Sequence, residues 1–361
     1  MLKRSVLLLG PALSAVSGVS THLNQLCSSE LANTIEFRHF QVGSEGRKES
    51  VLQKTLRFIV SPWTLLARLL WHRPYIVHLN TSLNPQAFWR DAAYLLIARL
   101  AGRKTVYQVH GGVLTSEFLG QGVLPARFTR WILALPDVVV LLGQPQMRAY
   151  LQLVPGARIR VIPNAIEIDD LNIEASKSAP GVPLHLVYLG RFAREKGIFE
   201  IIEAVRILAT RGIIVRLSMG GGGPDEGTLH NAVSRAGIKD LVIFRGALYG
   251  KEKNRLWREA DLFVFPTYHL EGLPYSLLES MAAGAVPITC PVAAIPDVIE
   301  EGVHGLFVPP RNPLALAAEV EQLHHDRAQL ARLSHACRQR ILEYYTLPRM
   351  AHDFQKLYAS L

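Results

Sequence analysis

Cysteine is scarce: 361 residues hold only Cys27, Cys290 and Cys337, far apart along the chain. There is no Cys-x-x-Cys pair and no histidine at zinc-ligand spacing. That excludes a disulfide framework or a zinc knuckle and fits a reducing compartment. Long apolar runs are equally missing, and nothing approaches the ~18 uninterrupted apolar residues of a membrane-spanning helix. Lys3 and Arg4 followed by Val6–Leu9 imitate a secretory signal. The run stops at Gly10-Pro11, short of the roughly seven to fifteen residues a signal core needs, so it reads as a buried first strand. A cytoplasmic, soluble protein is expected. Nucleic-acid modules are absent too: there is no zinc finger, no ribonucleoprotein-type aromatic motif and no clean helix-turn-helix.

What is present is enough for two cores. The length argues for about two domains, and 49% hydrophobic with 19% charged residues is the balance of a folded protein. The net charge of +9 is lopsided: residues 1–170 hold 18 Lys+Arg against 10 Asp+Glu, so +8 of it lies in the first half. A basic half points to an anionic partner such as a membrane surface, a phosphorylated lipid or nucleic acid. For nucleic acid, charge is the only argument.

Short Val/Ile/Leu-rich runs alternate with helical patterns almost throughout, the sequence form of a doubly wound α/β fold. Strands are expected at Ser5–Leu9, Ile76–Leu79, Thr105–Val109, Val138–Leu142 and Arg158–Ile162, then at His185–Leu189, Val215–Met219, Val242–Phe244, Leu262–Phe265 and Val286–Thr289. Glu167–Pro183 is poor in apolar residues and rich in turn formers, so it reads as a linker. The expected layout is one domain over 1–170 and a second over 183–343, both Rossmann-like, with the ligand cleft at the carboxyl ends of their strands.

The most informative stretch is Glu271-Gly-Leu-Pro-Tyr-Ser-Leu-Leu-Glu279, followed by Ser280-Met-Ala-Ala-Gly284. Pro274 suits the first turn of a helix and Gly284 its C-cap. The N–H groups of Gly272, Leu273, Tyr275 and Ser276 would then gather at a helix N-terminus, a ready phosphate site. Glu271 before that site and Glu279 about one turn inside could each accept hydrogen bonds from sugar hydroxyls. The plainer reading is two acids that merely favour a helix start. Next comes Gly190-Arg-Phe-Ala-Arg-Glu-Lys-Gly197, directly after a strand. Arg191 and Lys196 supply a planar fork and a point charge, which is what a diphosphate requires. Arg194 and Glu195 read instead as solvated charges at the start of a helix around Ile198–Leu208.

Other signals are weaker. Gly220–Gly223 after a strand permit close backbone approach to a ligand, as any tight turn might. Gly18, in the loop after the first strand, could serve the opposite side of the cleft. His110 ends a strand beside Gly111-Gly112, and the polar group His78, Asn80, Thr81 and Ser82 ends another. Several polar residues facing one cleft are harder to explain as packing than one histidine alone. Arg47–Arg73 combines six basic residues and one acid with Phe58, Ile59, Trp63, Leu65, Leu66, Leu69, Leu70 and Trp71. It reads either as a membrane-adsorbing helix or as a crossover helix with its apolar side in the core.

Together and in this order, the motifs resemble glycosyltransferase family 4, retaining enzymes of the two-domain GT-B architecture; the resemblance covers essentially the whole chain. Glu271…Glu279 is similar to that family's E-x7-E motif, and Arg191…Lys196 to its paired diphosphate-binding basics. Ile162–Ile166 is similar to the segment leading into the linker, and Tyr344–Leu361 to the helix that returns to the first domain. Val106–Gly112, preceded by His78–Ser82, resembles the branch that builds bacterial exopolysaccharide, lipopolysaccharide and O-antigen chains.

The resemblance implies that Glu279 binds the ribose hydroxyls of a nucleotide, Glu271 the transferred sugar, and Arg191 and Lys196 the diphosphate. It implies that His110 contacts the sugar and that backbone near Leu248 meets the base. It also implies a nucleotide-diphosphate-sugar as co-substrate with no further cofactor, no enzyme nucleophile, and a glycan or lipid-linked acceptor. The missing Asp-x-Asp motif agrees with metal-independent transfer. Three positions depart from the pattern: Ala165 stands where glycine is common, Pro274 removes one N–H, and Val16-Ser-Gly-Val19 has one glycine where two are frequent. A nucleotide-sugar epimerase of the same fold and a non-catalytic nucleotide-sugar-binding scaffold are the alternatives.

Overall fold

The computed structural model describes residues 4–47, 49–112, 126–168, 181–269 and 272–361. It holds two compact units. The first comprises Met1–Asn164, the short stretch ending at Leu273, and Leu347–Leu361; the second comprises Ala165–His269 and Pro274–Thr346.

In the first unit, strands β1 (Arg4–Gly10), β2 (Ile35–Gln41), β3 (Ile76–Leu83), β4 (Lys104–Gly112), β5 (Val138–Leu141) and β6 (Ile159–Val161) form one parallel sheet in the order β2-β1-β3-β4-β5-β6. Helices α1 (Gly18–Ser28), α2 (Val51–His72), α3 (Pro85–Leu100), α4 (Ala126–Leu133) and α5 (Gln144–Leu153) connect the strands. The central strands are buried along nearly their whole length, which is why they read as continuous apolar runs. The order reverses direction between β1 and β3, so the carboxyl ends of those two strands form a topological switch point.

The second sheet runs β12-β11-β10-β7-β8-β9, again all parallel. Its strands are β7 (Leu184–Leu189), β8 (Val215–Gly220), β9 (Val242–Gly246), β10 (Leu262–Phe265), β11 (Val286–Thr289) and β12 (Leu306–Phe307). The helices that matter here are α6 (Ile198–Thr210), α7 (Glu226–Arg235), α8 (Gly250–Glu259), α9 (Tyr275–Ala282), α10 (Pro313–His325) and α11 (Arg327–Tyr344). Here the order reverses between β7 and β10. The chain ends in α12 (Leu347–Ala359), which belongs to the first unit and buries Met350, Phe354, Leu357 and Tyr358.

All ten expected strands are present, so the α/β class holds. Two more exist. β2, at the edge of the sheet, is buried only at Ile35 and Phe40; Glu36 is exposed and Phe37, Arg38 and His39 are half-buried, so it presents no apolar run. β12 is two residues long. Gly18 does not lie in a loop: it is the first residue of α1, behind the N-cap Ser17, whose hydroxyl accepts from the Ser20 N–H at 3.3 Å. Pro274 is the N-cap of α9 with extended ψ 130°, not a residue of its first turn. The C-cap is Ala283; Gly284 follows it at φ 72°. The bonds Gly284 N–H to Met281 O and Ala285 N–H to Ser280 O then close the helix as a Schellman turn.

Helix α2 answers the question its sequence left open, and the answer is divided by position. Its C-terminal half packs as a crossover helix through Leu65 and Leu69, both fully buried. From Val51 to Val60 every residue is exposed except the half-buried Arg57. Leu52 (78% exposed), Leu56, Ile59, Trp63 (70%) and Leu70 form one stripe at helical spacing, and Trp71 lies 84% exposed near its end.

Candidate active site

In the second unit the predicted charges gather around the β7/β10 switch point. After β7 the chain makes a tight turn: the Gly190 N–H donates to Gly220 O at 3.0 Å and the Phe192 N–H to Gly222 O at 2.9 Å. Gly221 and Gly223 have no room for a side chain. A Cβ on Gly221 would meet Gly190 O at 1.9 Å, and one on Gly223 would meet Phe192 O at 2.4 Å. The glycine run after β8 therefore lets two βα loops pack backbone against backbone. Tyr188 steadies the same turn, its hydroxyl donating to Arg191 O at 2.7 Å.

Arg191 opens this turn with its side chain largely in solvent, 3.4 Å from the Glu195 carboxylate. Lys196 ends a single 3-10 turn, Arg194–Lys196, before Gly197 (φ 76°) admits the chain to α6. The Glu195 carbonyl accepts from the Tyr268 and His269 N–H groups at 3.0 and 3.2 Å, which ties the loop after β7 to the loop after β10. Arg194 was expected as a solvated charge and is exposed; its guanidinium covers the Phe199 ring at 4.4 Å, and its backbone N–H donates to Asp225 Oδ2 at 2.7 Å.

Glu279 projects from α9 and is held from both sides. Lys253 Nζ donates to Oε1 at 2.6 Å and Trp257 Nε1 to Oε2 at 3.1 Å. Both donors lie on α8, four residues apart and so on one face. Neither was predicted; their i,i+4 spacing was visible, but nothing in a linear reading names the carboxylate they serve. At the head of α9, the first helical bond runs from the Leu278 N–H to Pro274 O at 3.4 Å. The N–H groups of Tyr275, Ser276 and Leu277 thus precede the helical ladder, at the positive end of the helix dipole. Burial raises the Tyr275 phenol far above its ordinary range, so it stays protonated. Leu248 lies half-buried after β9, its side chain beside Gly220. Glu271 falls outside the described residues.

In the first unit His78, Asn80 and His110 of the predicted polar residues are buried together, whereas Thr81 accepts from Arg90 at 3.2 Å and Ser82 is exposed. His110 at the end of β4 holds its Nε2 2.9 Å from Asn80 Oδ1 on β3. The His78 Nδ1 stands 2.7 Å from the Tyr358 hydroxyl of α12. His22 of α1, which sequence reasoning missed, lies 4.7 Å from the His110 ring and 5.5 Å from that of Phe354. Burial pushes the His22 and His78 imidazoles down to about 3, and holds His110 well below the usual histidine range. All three are therefore neutral at pH 7. Gln108 lies close enough to favour the charged forms of His22 and His78, yet its amide makes no hydrogen bond of sound geometry, and burial wins. His110 Nδ1 is buried without a partner. Gly272, also in this unit, passes so close to His110 that a Cβ would meet its carbonyl oxygen at 1.8 Å, and the neighbouring Leu273 O accepts from Asn164 Nδ2 at 2.7 Å. Among the described residues, no group of three or more His, Cys, Asp or Glu is placed to hold a metal ion, and no helix is long and apolar enough to cross a membrane.

Two Rossmann-like parallel sheets set the fold class, and by sequence the chain belongs to the glycosyltransferases. Residues 170–340 match the model of glycosyl transferases group 1, and residues 19–165 that of the glycosyl transferase 4-like domain. It is 30% identical to the amylovoran biosynthesis glycosyltransferase AmsK of Erwinia amylovora over 52% of this chain and 47% of that one. It is 25% identical to the GDP-mannose:cellobiosyl-diphosphopolyprenol alpha-mannosyltransferase of Xanthomonas campestris, over 64% of this chain and 61% of that one. The chain thus spans about half to three-fifths of the length of these relatives. The fold resembles that of Anabaena Alr3699/HepE in complex with UDP-glucose, with a TM-score of 0.77 at 17% identity, covering 99% of this chain and 100% of that one.

Proposed function

We propose that the protein moves a sugar from a nucleotide-diphosphate-sugar to a glycan or lipid-linked acceptor in bacterial cell-surface polysaccharide synthesis, with retention of configuration and without a metal or other cofactor. One observation carries the donor site: the β7/β10 switch point joins Arg191 and Lys196 on one loop to the head of α9 and Glu279 on the next. In an open parallel sheet this is where ligands bind. The helix head, through Gly272, Leu273, Tyr275 and Ser276, suits phosphate oxygens.

In this reading Arg191 and Lys196 offset the charge that grows on the diphosphate as it leaves, the preorganised electrostatics an oxocarbenium-like transition state needs. Glu279 binds the ribose hydroxyls, fixed in place by Lys253 and Trp257. Glu271 and His110 bind the sugar, and backbone near Leu248 meets the base. Leaving group and acceptor share one face, so no enzyme nucleophile takes part. The polyprenol-linked acceptor named for the Xanthomonas relative supports a lipid-linked acceptor here. The exposed apolar stripe of α2, in the half of the chain that carries +8 of the net charge of +9, supports peripheral contact with an anionic membrane at its cytoplasmic face.

Thermal-shift binding against UDP-, GDP-, ADP- and dTDP-sugars, with Glu279→Ala alongside, tests the donor site. Stabilisation by one nucleotide family that disappears in the variant supports it, because a ligand stabilises what it binds when folded. Equal stabilisation in both proteins would refute the assignment. Turnover of donor without acceptor would favour the epimerase alternative, and binding without any turnover the scaffold.

A further inference from the structure

A cavity of 880 Å³ opens in the first unit at the carboxyl ends of β1, β2 and β3. Its position is the switch point of that sheet, where the strand order reverses. Its size is that of an ordinary ligand site. Three cations reach it, Lys54 and Arg57 from α2 and Arg90 from α3, against a single acid, Glu45. Two of the three are set in place. Glu49 grips Arg57 through two bonds of 2.9 Å, and the buried Asp91 holds Arg90 at 2.8 Å. Phe58, Trp89 and Tyr94 supply apolar wall.

Helix α2 gives this cavity an unusual setting, because its two faces differ. Lys54, Arg57, Phe58, Ser61 and Pro62 follow helical spacing and turn toward the cavity. Leu52, Leu56, Ile59, Trp63 and Leu70 follow the same spacing about half a turn away and are exposed. One helix therefore presents an apolar stripe outward and a cationic row inward. A soluble sugar needs neither. An amphiphile with an anionic head needs both, since its tail stays on the apolar side while its head is drawn past the helix to the basic wall.

We infer that this cavity holds the phosphate or diphosphate head of a lipid-linked acceptor, with Lys54, Arg57 and Arg90 as its counter-charges and α2 as the wall between head and bilayer. The inference rests on the glycosyl-transfer reading for the word acceptor, but the binding site stands on the cavity and the helix alone.

The test is calorimetric titration of the full chain with three probes below their micelle thresholds: farnesyl diphosphate, farnesol and inorganic pyrophosphate. Farnesyl diphosphate should bind at least about tenfold tighter than either half-probe, and Lys54→Glu should weaken it about tenfold or more, the worth of a charge-assisted bond. Lys54 is exposed, so this change spares the core; Ala93→Phe, which fills the cavity from α3, should weaken binding likewise. Arg191→Ala should leave it unchanged. If binding survives Lys54→Glu and is lost in Arg191→Ala, the diphosphate occupies the donor loop and the inference falls. Farnesol binding as tightly as its diphosphate would overturn the anionic head, and pyrophosphate binding as tightly would overturn the lipid. Failure of nucleotide-sugars to stabilise the protein would sink the transferase reading and leave these titrations standing.

Discussion

The His110 ring nitrogen Nε2 lies 2.9 Å from Asn80 Oδ1, in a site where burial keeps the imidazole neutral. A neutral imidazole carries one N–H, and the amide oxygen can only accept. The proton therefore sits on Nε2, and Nδ1 keeps its lone pair. A histidine in this state accepts a hydrogen bond from a hydroxyl and carries no charge. Asn80→Ala should strand a buried N–H at a cost of about 1–3 kcal/mol and free the ring to change tautomer. The expected outcome is a lowered denaturation midpoint with a fall in kcat, whereas Asn80→Asp should preserve the bond and add a basic shoulder to the pH–rate profile. Unchanged kinetics in both variants would remove Asn80 from its role as a positioning residue.

The same cluster makes stability depend on acid. His22 and His78 have folded-state values near 3, against 6.5 for a free imidazole. Between those limits the unfolded chain binds more protons than the folded one, so stability falls as pH falls. Each histidine contributes up to about 1.4 kcal/mol per pH unit in that window. The first unit should therefore loosen as pH drops below about 6.5, releasing α12, whose Phe354 and Tyr358 pack on these rings. Denaturant midpoints from pH 7.5 to 5 should decline, with a shallower slope in His22→Gln. A flat profile in the native protein would contradict the buried neutral cluster.

Much of this was legible in the chain because parallel strands buried on both faces write themselves as apolar runs. β10 and β11 were bounded correctly from Leu262–Phe265 and Val286–Thr289 alone. β2 escaped because an edge strand is only partly covered, and Glu36, Arg38 and His39 break its apolar run. The loop charges Arg191 and Lys196 announced themselves by following a strand. His22 did not: it sits mid-helix in α1, where its burial beside His110 depends on how α1 packs over β3 and β4. The partners of Glu279 were equally invisible, since α8 and α9 meet only through the fold.

Those partners give a graded prediction. Trp257→Phe keeps the buried ring and deletes its N–H, removing one bond to Glu279. Lys253→Met keeps the side-chain length and deletes the charge. If Glu279 must be aimed at a ribose, each change should weaken nucleotide binding by about three- to tenfold, the worth of one hydrogen bond of roughly 0.5–1.5 kcal/mol. Titration of a nucleotide that stabilises the protein would read this directly. Binding intact in both variants would show that Glu279 needs no such support.

The glycine run after β8 separates two accounts of why it is there. If its glycines served ligand approach alone, Gly221→Ala would spare the fold and cost only binding. Its Cβ would fall 1.9 Å from Gly190 O, and the residue sits at φ 133°, so the structure must shift. The turn that carries Arg191 moves with Gly190. Gly221→Ala should therefore destabilise the second unit by more than the roughly 1–2 kcal/mol of a strained backbone position alone, and should weaken nucleotide binding as well. Gly227→Ala is the control: it lies in α7 with nothing within 4 Å of a Cβ, and should be neutral or stabilising by about 0.4–1 kcal/mol. Thermal melts and nucleotide titrations of the pair decide the matter. A Gly221→Ala protein with unchanged melting and weakened binding would mean the glycine is kept for the ligand and not for the loop against it.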